Sequence, residues 1–243
     1  TASVSTCTGC GEKIVDLNAT NFPDATFLTY VSTFDTYNDD MLLGSELSAV
    51  TTIDVSGTSS ADGGISDITG IEHFTELTTL LCAYNSNLTS IDVSALTKLE
   101  TLDLTGCSGV SGLDLSGHTA LVTLNVSYCT ALTALDVSNC SSLTSVSAEA
   151  TEKNSNALTT VDVSGCTNLV NLNLKYCSYV TELDLQTLEN LEVLDVAYSG
   201  VTTYTGVTGM SFPNNPKLRE VYANHLNVSS IDLSSNTALE VFY

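Results

Sequence analysis

Residues 99–142 read "LETLDLTGCSGVSGLDLSGHTA" and then "LVTLNVSYCTALTALDVSNCSS", two versions of one phrase of twenty-two residues. Each version also repeats within itself. Cys129 and Cys140 open near-copies of Cys-x-x-Leu eleven residues apart. Working outward in the same register, units begin at Leu77, Leu99, Leu121, Leu143, Leu169, Leu191, Leu218 and Leu239, with steps of 22, 22, 22, 26, 22, 27 and 21 residues. A fixed period of this length is the signature of a solenoid, in which each unit buries its apolar face only against its neighbours. The unit at 143 carries four extra residues and the one at 191 five, and insertions in such an array are expected to loop out to one side.

Each half-unit ends in alternating apolar and polar residues, which predicts a short strand and therefore two strands per coil. Leu102 and Leu104 should face inward while Thr101, Asp103 and Thr105 face out, and the next coil should stack about 4.8 Å away. The turn after each strand leaves backbone groups inside the coil that need partners. Three residues past the last inward strand position stand Asn85, Cys107, Cys129, Thr151, Cys177 and Ser199 in the first halves. The second halves place Thr58, Leu96, His118, Cys140, Cys166, Leu188 and Asn236 there. Asn and Thr bond a turn's backbone, and Cys is a compact hydrophobe with a weak donor. Buried structural thiols are therefore expected, although Cys107 with Cys129 and Cys140 with Cys166 lie on adjacent coils, where disulfides are conceivable. Cys7 and Cys10 stand outside the array; a zinc site needs four ligands and no second such pair exists, so a local disulfide is preferred.

Composition fits a thin core and narrows the partners. Apolar residues make up 43% of the chain but aromatics only 7%, with no Trp, so the core must be built from small aliphatics. Six Lys and Arg against 28 Asp and Glu give a net charge of −22, which repels nucleic acid and anionic lipid. No apolar run is long enough to span a membrane. The chain begins at Thr1, so a leader or anchor removed from it is conceivable.

The alternating "LTTLLCAYN" and "LTSIDVS" resemble the leucine-rich repeats of bacterial surface proteins, above all the internalin J type of repeat, which pairs a Leu-x-x-Leu-x-Cys strand with a Leu-Asp-Val-Ser strand. The resemblance covers about residues 47–243. Cys82 occupies the inward Cys position of that type, but Leu104, Val126, Ala148, Leu174, Val196 and Ala223 follow it, so the cysteine ladder is mostly lost. The fold implied is a right-handed leucine-rich-repeat solenoid of short parallel strands with little helix and a small helical N-terminal cap.

Residues 1–20 read as a tail, 21–50 as the cap and 51–243 as the array. In the cap a helix is expected from near Pro23, with Phe27, Leu28, Val31 and Phe34 on one apolar face, then a loop and a short helix ending near Val50. The twelve residues from Asp35 to Glu46 match an EF-hand in length, with Asp35 first, Asp39 fifth and Glu46 twelfth. Tyr37 and Asp40 stand where that pattern wants an acid or amide and a Gly. Asp35, Asp39 and Glu46 are thus candidate calcium ligands in a unit resembling the EF-hand-like cap of internalins; otherwise no cofactor is expected. After Tyr243 no comparable cap follows, so the last coil is expected to continue or to be covered by something else.

The resemblance implies that the first halves line the concave face, where such proteins bind. The column two past the last inward position is Tyr84, Gly106, Tyr128, Ala150, Tyr176, Tyr198 and His225, and beside it run Leu81, Asp103, Asn125, Ser147, Asn173, Asp195 and Tyr222. Tyr supplies contact area and a hydroxyl at low entropic cost. Tyr84, Asp103, Asn125, Tyr128, Asn173, Tyr176, Asp195, Tyr198, Tyr222 and His225 are therefore the candidate ligand-binding residues, for a protein or glycan partner, host ligands included. The competing role for the rings is to shield the coil edge. The second halves carry a column of Asp54, Asp92, Asp114, Asp136, Asp162, Asp184 and Asp232, for which hydroxyl and N–H donors in the same phrase are the simplest partners. No catalytic constellation is visible: His73, His118 and His225 fall in different contexts, and no phosphate loop, metal quartet or nucleophile motif exists. The expected function is extracellular recognition or adhesion without catalysis, the alternative being a spacer that displays another domain.

Overall fold

The computed structural model describes residues 4–6, 11–59, 61–153, 156–201, 203–204 and 207–243; the expected Cys7–Cys10 disulfide lies outside them. Nine parallel strands form one continuous sheet in chain order: Thr52–Asp54, Thr79–Leu81, Thr101–Asp103, Thr123–Asn125, Ser145–Ser147, Asn171–Asn173, Val193–Asp195, Glu220–Tyr222 and Val241–Phe242. The register is uniform. Leu102 pairs with Leu80 and Leu124, and so do its counterparts along the array. The centre residue of each strand points inward, as expected: Leu80, Leu102, Leu124, Val146, Leu172, Leu194 and Val221 are all fully or almost fully buried.

The second halves form a more broken ladder than two strands per coil implies. Ala134–Asp136 pairs with Thr160–Asp162, and Met210–Ser211 with Ile231–Asp232, while coil 113–115 contributes a single Asp114–Asp136 bridge. Asp54 and Thr58 do not belong to this side. Thr52–Asp54 joins the continuous sheet beside Thr79–Leu81, because the first coil begins with its first-half strand.

The five extra residues of the unit at 191 leave the coil as a small hairpin, Thr203–Tyr204 against Val207–Thr208. The insertion in the unit at 143 changes a ladder assignment. Thr151 is exposed, and Asn156 takes the inward place, donating from Nδ2 to Ala148 O at 3.0 Å. The four added residues lie between strand end and turn, so counting three past Ala148 lands on the loop.

The inward turn residues bind backbone carbonyls across coils. Cys107 Sγ donates to Cys82 O at 3.0 Å, Cys129 to Leu104 O at 3.1 Å, Cys140 to Leu115 O at 3.1 Å and Cys166 to Val137 O at 3.0 Å. The Asn residues do more. Asn85 Nδ2 reaches both Val55 O and Cys82 O while its Oδ1 accepts from Ile65 N–H. Asn215, which the sequence reading did not place in the column, spans Leu185 O and Leu188 O. The six array cysteines are free and buried, with no disulfide between neighbouring coils. Burial raises their thiols, to about 11 for Cys107 and about 12 for Cys129, Cys166 and Cys177.

The cap is larger than the sequence divides it. β1 (Val4–Thr6), β2 (Lys13–Asp16) and β3 (Met41–Leu43) make an antiparallel sheet in that order, so the described part of residues 1–20 is paired rather than a tail. Helices α1 (Ala25–Val31) and α2 (Gly44–Ala49) complete it. Asp24 caps α1 by accepting from Thr26 N–H and Phe27 N–H, and its other oxygen accepts from Ser66 N–H and Oγ in the first coil. Burial alone would raise this carboxyl, but those bonds outweigh it and hold it below its ordinary value. Phe27 and Val31 are buried, with Leu28 and Phe34 packed at the margin. Tyr30 Oη accepts from Asp54 N–H at 3.0 Å, which satisfies a donor on the edge strand that would otherwise be open to pairing.

Two outcomes follow from the ladder. Asn85→Leu strands the Val55 carbonyl and the Ile65 N–H and leaves Cys82 O to the Cys107 thiol alone, and at roughly 1 kcal/mol or more for each stranded group it should lower stability by about 2 kcal/mol in urea unfolding. The array thiols should react with an aromatic disulfide reagent only as fast as the coils open, so their labelling rate should rise with denaturant in step with unfolding.

Candidate functional site

The tyrosine column sits on a strained turn. Tyr84, Tyr128, Tyr176, Tyr198 and His225 have φ of 58°, 63°, 62°, 58° and 62°, in the left-handed region. At that position the N–H donates to the next coil, Tyr128 to Glu149 O at 2.8 Å and Tyr176 to Ala197 O at 2.9 Å. The following residue turns inward to become the ladder side chain. Three second halves make the same turn: Gly117 N–H donates to Ser138 O and Asn139 N–H to Ser164 O, and Gly165 has the same φ. There, however, the left-handed residues are Gly117, Asn139 and Gly165, the types that adopt this conformation readily. A bulky side chain in it costs about 1–2 kcal/mol. Only the edge beside the continuous sheet carries aromatic rings on this turn among the described residues.

Part of that cost is offset by ring stacking. Tyr176 and Tyr198 stack with centroids 4.7 Å apart, Tyr198 and His225 at 4.3 Å. Lys175 Nζ lies 5.6 Å from the Tyr176 ring centre. Tyr222 stacks on Tyr243 at 5.7 Å and donates from Oη to Glu220 Oε2 at 2.9 Å. Tyr84 and Tyr128 have no such ring partner among the described residues, because Gly106 stands between them.

The polar candidates share one local role. Asp103 accepts from Thr105 N–H at 2.8 Å, Asn125 from Ser127 N–H at 3.0 Å, Asn173 from Lys175 N–H at 3.0 Å and Asp195 from Ala197 N–H at 3.0 Å. Asp92, Asp114, Asp136, Asp162, Asp184 and Asp232 do the same two residues ahead in the second halves, each at 2.9 Å. These are Asx-turns that end each strand. Hydrogen bonds from Ser94, Ser116 and Ser234 hold Asp92, Asp114 and Asp232 below the usual carboxylate value, whereas burial raises Asp195. Asn173 keeps its amide for Glu149 Oε2 at 3.2 Å. The sheet-facing candidates thus form one half-buried polar stripe, with the rings as its margin and His225 exposed at the far end.

The EF-hand-like loop is arranged differently from a cation cage. Glu46, almost buried, gives Oε1 to Thr36 N–H and Oγ1 and Oε2 to Leu43 N–H. Asp35 accepts from Asn38, Asp39 and Asp40 N–H groups, and Asp39 points to solvent. No group of three or more His, Cys, Asp or Glu side chains converges among the described residues. The candidate calcium ligands are therefore a poor fit to a metal and brace the loop instead.

The turn geometry sets an expectation for stability. Tyr198→Asn removes two stacked contacts worth about 0.5–1.5 kcal/mol each and should destabilise the fold measurably. For Tyr128→Asn, relief of the left-handed strain compensates the lost contacts, and stability should stay within about 1 kcal/mol. Paired urea melts of the two variants check this.

No protein-family profile matches the chain, and no curated protein matches it. Among solved structures, internalin C2 of Listeria monocytogenes aligns over 92% of this chain and 95% of its own at 22% identity, with a TM-score of 0.61. The functional domain of InlJ from Listeria monocytogenes, whose structure includes a cysteine ladder, aligns over 98% of this chain and 76% of its own at 21% identity and a TM-score of 0.38. A leucine-rich-repeat protein of Leptospira interrogans, LIC12759, aligns over 71% and 61% at 15% identity and a TM-score of 0.33. The argument rests on internalin C2, whose likeness extends over nearly the whole of both chains and concerns the fold. In fold, the chain is an internalin-like leucine-rich-repeat solenoid.

Proposed function

We propose that this protein is an extracellular recognition module that binds a protein or glycan through the face of its continuous sheet, the concave face by resemblance, and the aromatic edge beside it. One observation carries the reading. Beside the continuous sheet the left-handed turn holds strained aromatic residues in five coils, whereas on the opposite side, among the described residues, the coils that make it place Gly117, Asn139 and Gly165 there. Scaffolding alone is served by Gly or Asn, as the opposite side demonstrates, and an outlier of this kind points to function. Half-buried Asp and Asn side chains beside half-buried tyrosine rings and an exposed His225 supply the mixture of apolar area and hydrogen-bonding groups found in recognition surfaces. The net charge of −22 favours partners that are neutral or basic. No helix among the described residues is long and apolar enough to cross a membrane, and the resemblance to bacterial surface repeats supports a place outside the cell.

The test is a screen of the intact chain against arrayed glycans and immobilised extracellular-matrix proteins, repeated with Tyr176→Asn/Tyr198→Asn. Asn keeps the backbone geometry, as Asn139 does at φ 62°. At least a tenfold loss of binding is expected for the variant, with the fold retained by circular dichroism. Equal binding by both proteins, or silence across the arrays, overturns the reading, and silence leaves the spacer in its place.

A further inference from the structure

The aromatic edge is filled at one end and broken at the other. From Tyr176 to His225 successive rings lie on one another at 4.7 and 4.3 Å, which leaves no room for another ring between them. Four, three and two coils earlier the column reads Tyr84, Gly106 and Tyr128. Gly106 has φ +74°, and a Cβ there would stand 2.6 Å from Tyr84 Cδ1, so the Tyr84 ring lies against the glycine and no side chain of that coil stands between the two tyrosines. The result is a recess of about 710 Å³ lined by Tyr84, Gly106, Ser108, Tyr128, Thr130 and Lys153, among others. That size lies within the range of small-molecule sites.

Two features separate this recess from the rest of the edge. Lys153, near the four-residue insertion of the unit at 143, stands on its wall. In addition, the Ser108 and Thr130 hydroxyls and the Lys153 ammonium make no hydrogen bond or ion pair within the described residues. The other five Lys and Arg side chains are engaged. Lys98 and Arg219 pair with glutamates, Lys217 with Asn190, Lys13 with His73, and Lys175 lies over Tyr176. The recess therefore combines two ring faces without stacking partners with a margin of unengaged hydroxyl and ammonium donors.

We propose that this recess is a saccharide-binding site that takes a neutral pyranose unit of a glycan, its CH face against Tyr84 or Tyr128 and its hydroxyls toward Ser108, Thr130 and Lys153. A sugar ring has this distribution, an apolar face bounded by hydroxyls, whereas an aromatic side chain from a partner protein would leave the donors at the margin unmatched. One cation in a chain of net charge −22 does not suit a polyanionic glycan. The assignment rests on the recognition reading above and narrows its ligand class at one place on the edge.

Saturation-transfer NMR of the intact chain with the methyl pyranosides of glucose, galactose, mannose and N-acetylglucosamine tests it. At least one probe should be saturated, most strongly at the protons of one ring face. The signal should persist in about 0.5 M NaCl, where the Debye length is about 4 Å. It should fall at least about fivefold in Tyr84→Asn/Tyr128→Asn and weaken in Lys153→Gln, an exposed change that leaves the fold intact. Tyr37→Asn, on the cap, should keep it. No saturated probe, an undiminished signal in the tyrosine variant, or loss of the signal in salt each overturns the site. An arrayed protein bound through Tyr176 and Tyr198 without any saturated pyranoside would remove the saccharide site and leave the broader recognition reading standing.

Discussion

Along this solenoid many coils turn a carbonyl into the core, and a side chain from a neighbouring coil meets it. Cys107 does so for Cys82 and Cys129 for Leu104, in each case from 25 residues downstream, one unit plus three. No coil can satisfy these groups alone, which ties stability to the stacking of neighbours. The column also explains its mixed composition. Asn reaches two carbonyls, Cys one, and His118 places its two ring nitrogens 3.2 Å from Leu115 O and Val93 O. Thiols serve because the space is narrow and dry, the same condition that raises them toward 12.

The cap joins the first coil by specific bonds. At the start, Asp24 and Tyr30 carry the cap onto the first coil by hydrogen bonds to Ser66 and Asp54, and Phe22, Phe27 and Phe74 close the core. At Val241–Phe242 the sheet presents exposed Phe242 and Tyr243. Along the continuous sheet one edge concentrates strain, aromatic area and donors in a single line. The ladder fixes where that line runs, because the left-handed residue always precedes the inward side chain.

The sequence by itself determined the period, the inward positions of the continuous sheet and the column of turn residues, since all three depend on spacing within one unit. It also determined that Tyr84, Tyr128, Tyr176, Tyr198 and His225 share an edge. It did not reveal that they sit at positive φ, although Gly106, Gly117, Gly165 and Asn139 at the equivalent places were a legible signal. Tertiary structure alone decided what depends on neighbours or on altered spacing. Asn156 displaced Thr151 because four inserted residues shift the count. The residues at 4–6 and 13–16 became part of the cap because Met41–Leu43 offers them an edge. Glu46 accepts from Thr36 and Leu43, which only the folded loop brings to it. The same holds for the rings: identical in the sequence column, they stack at one end and stand apart at the other, because stacking requires a ring on the adjacent coil and Gly106 supplies none.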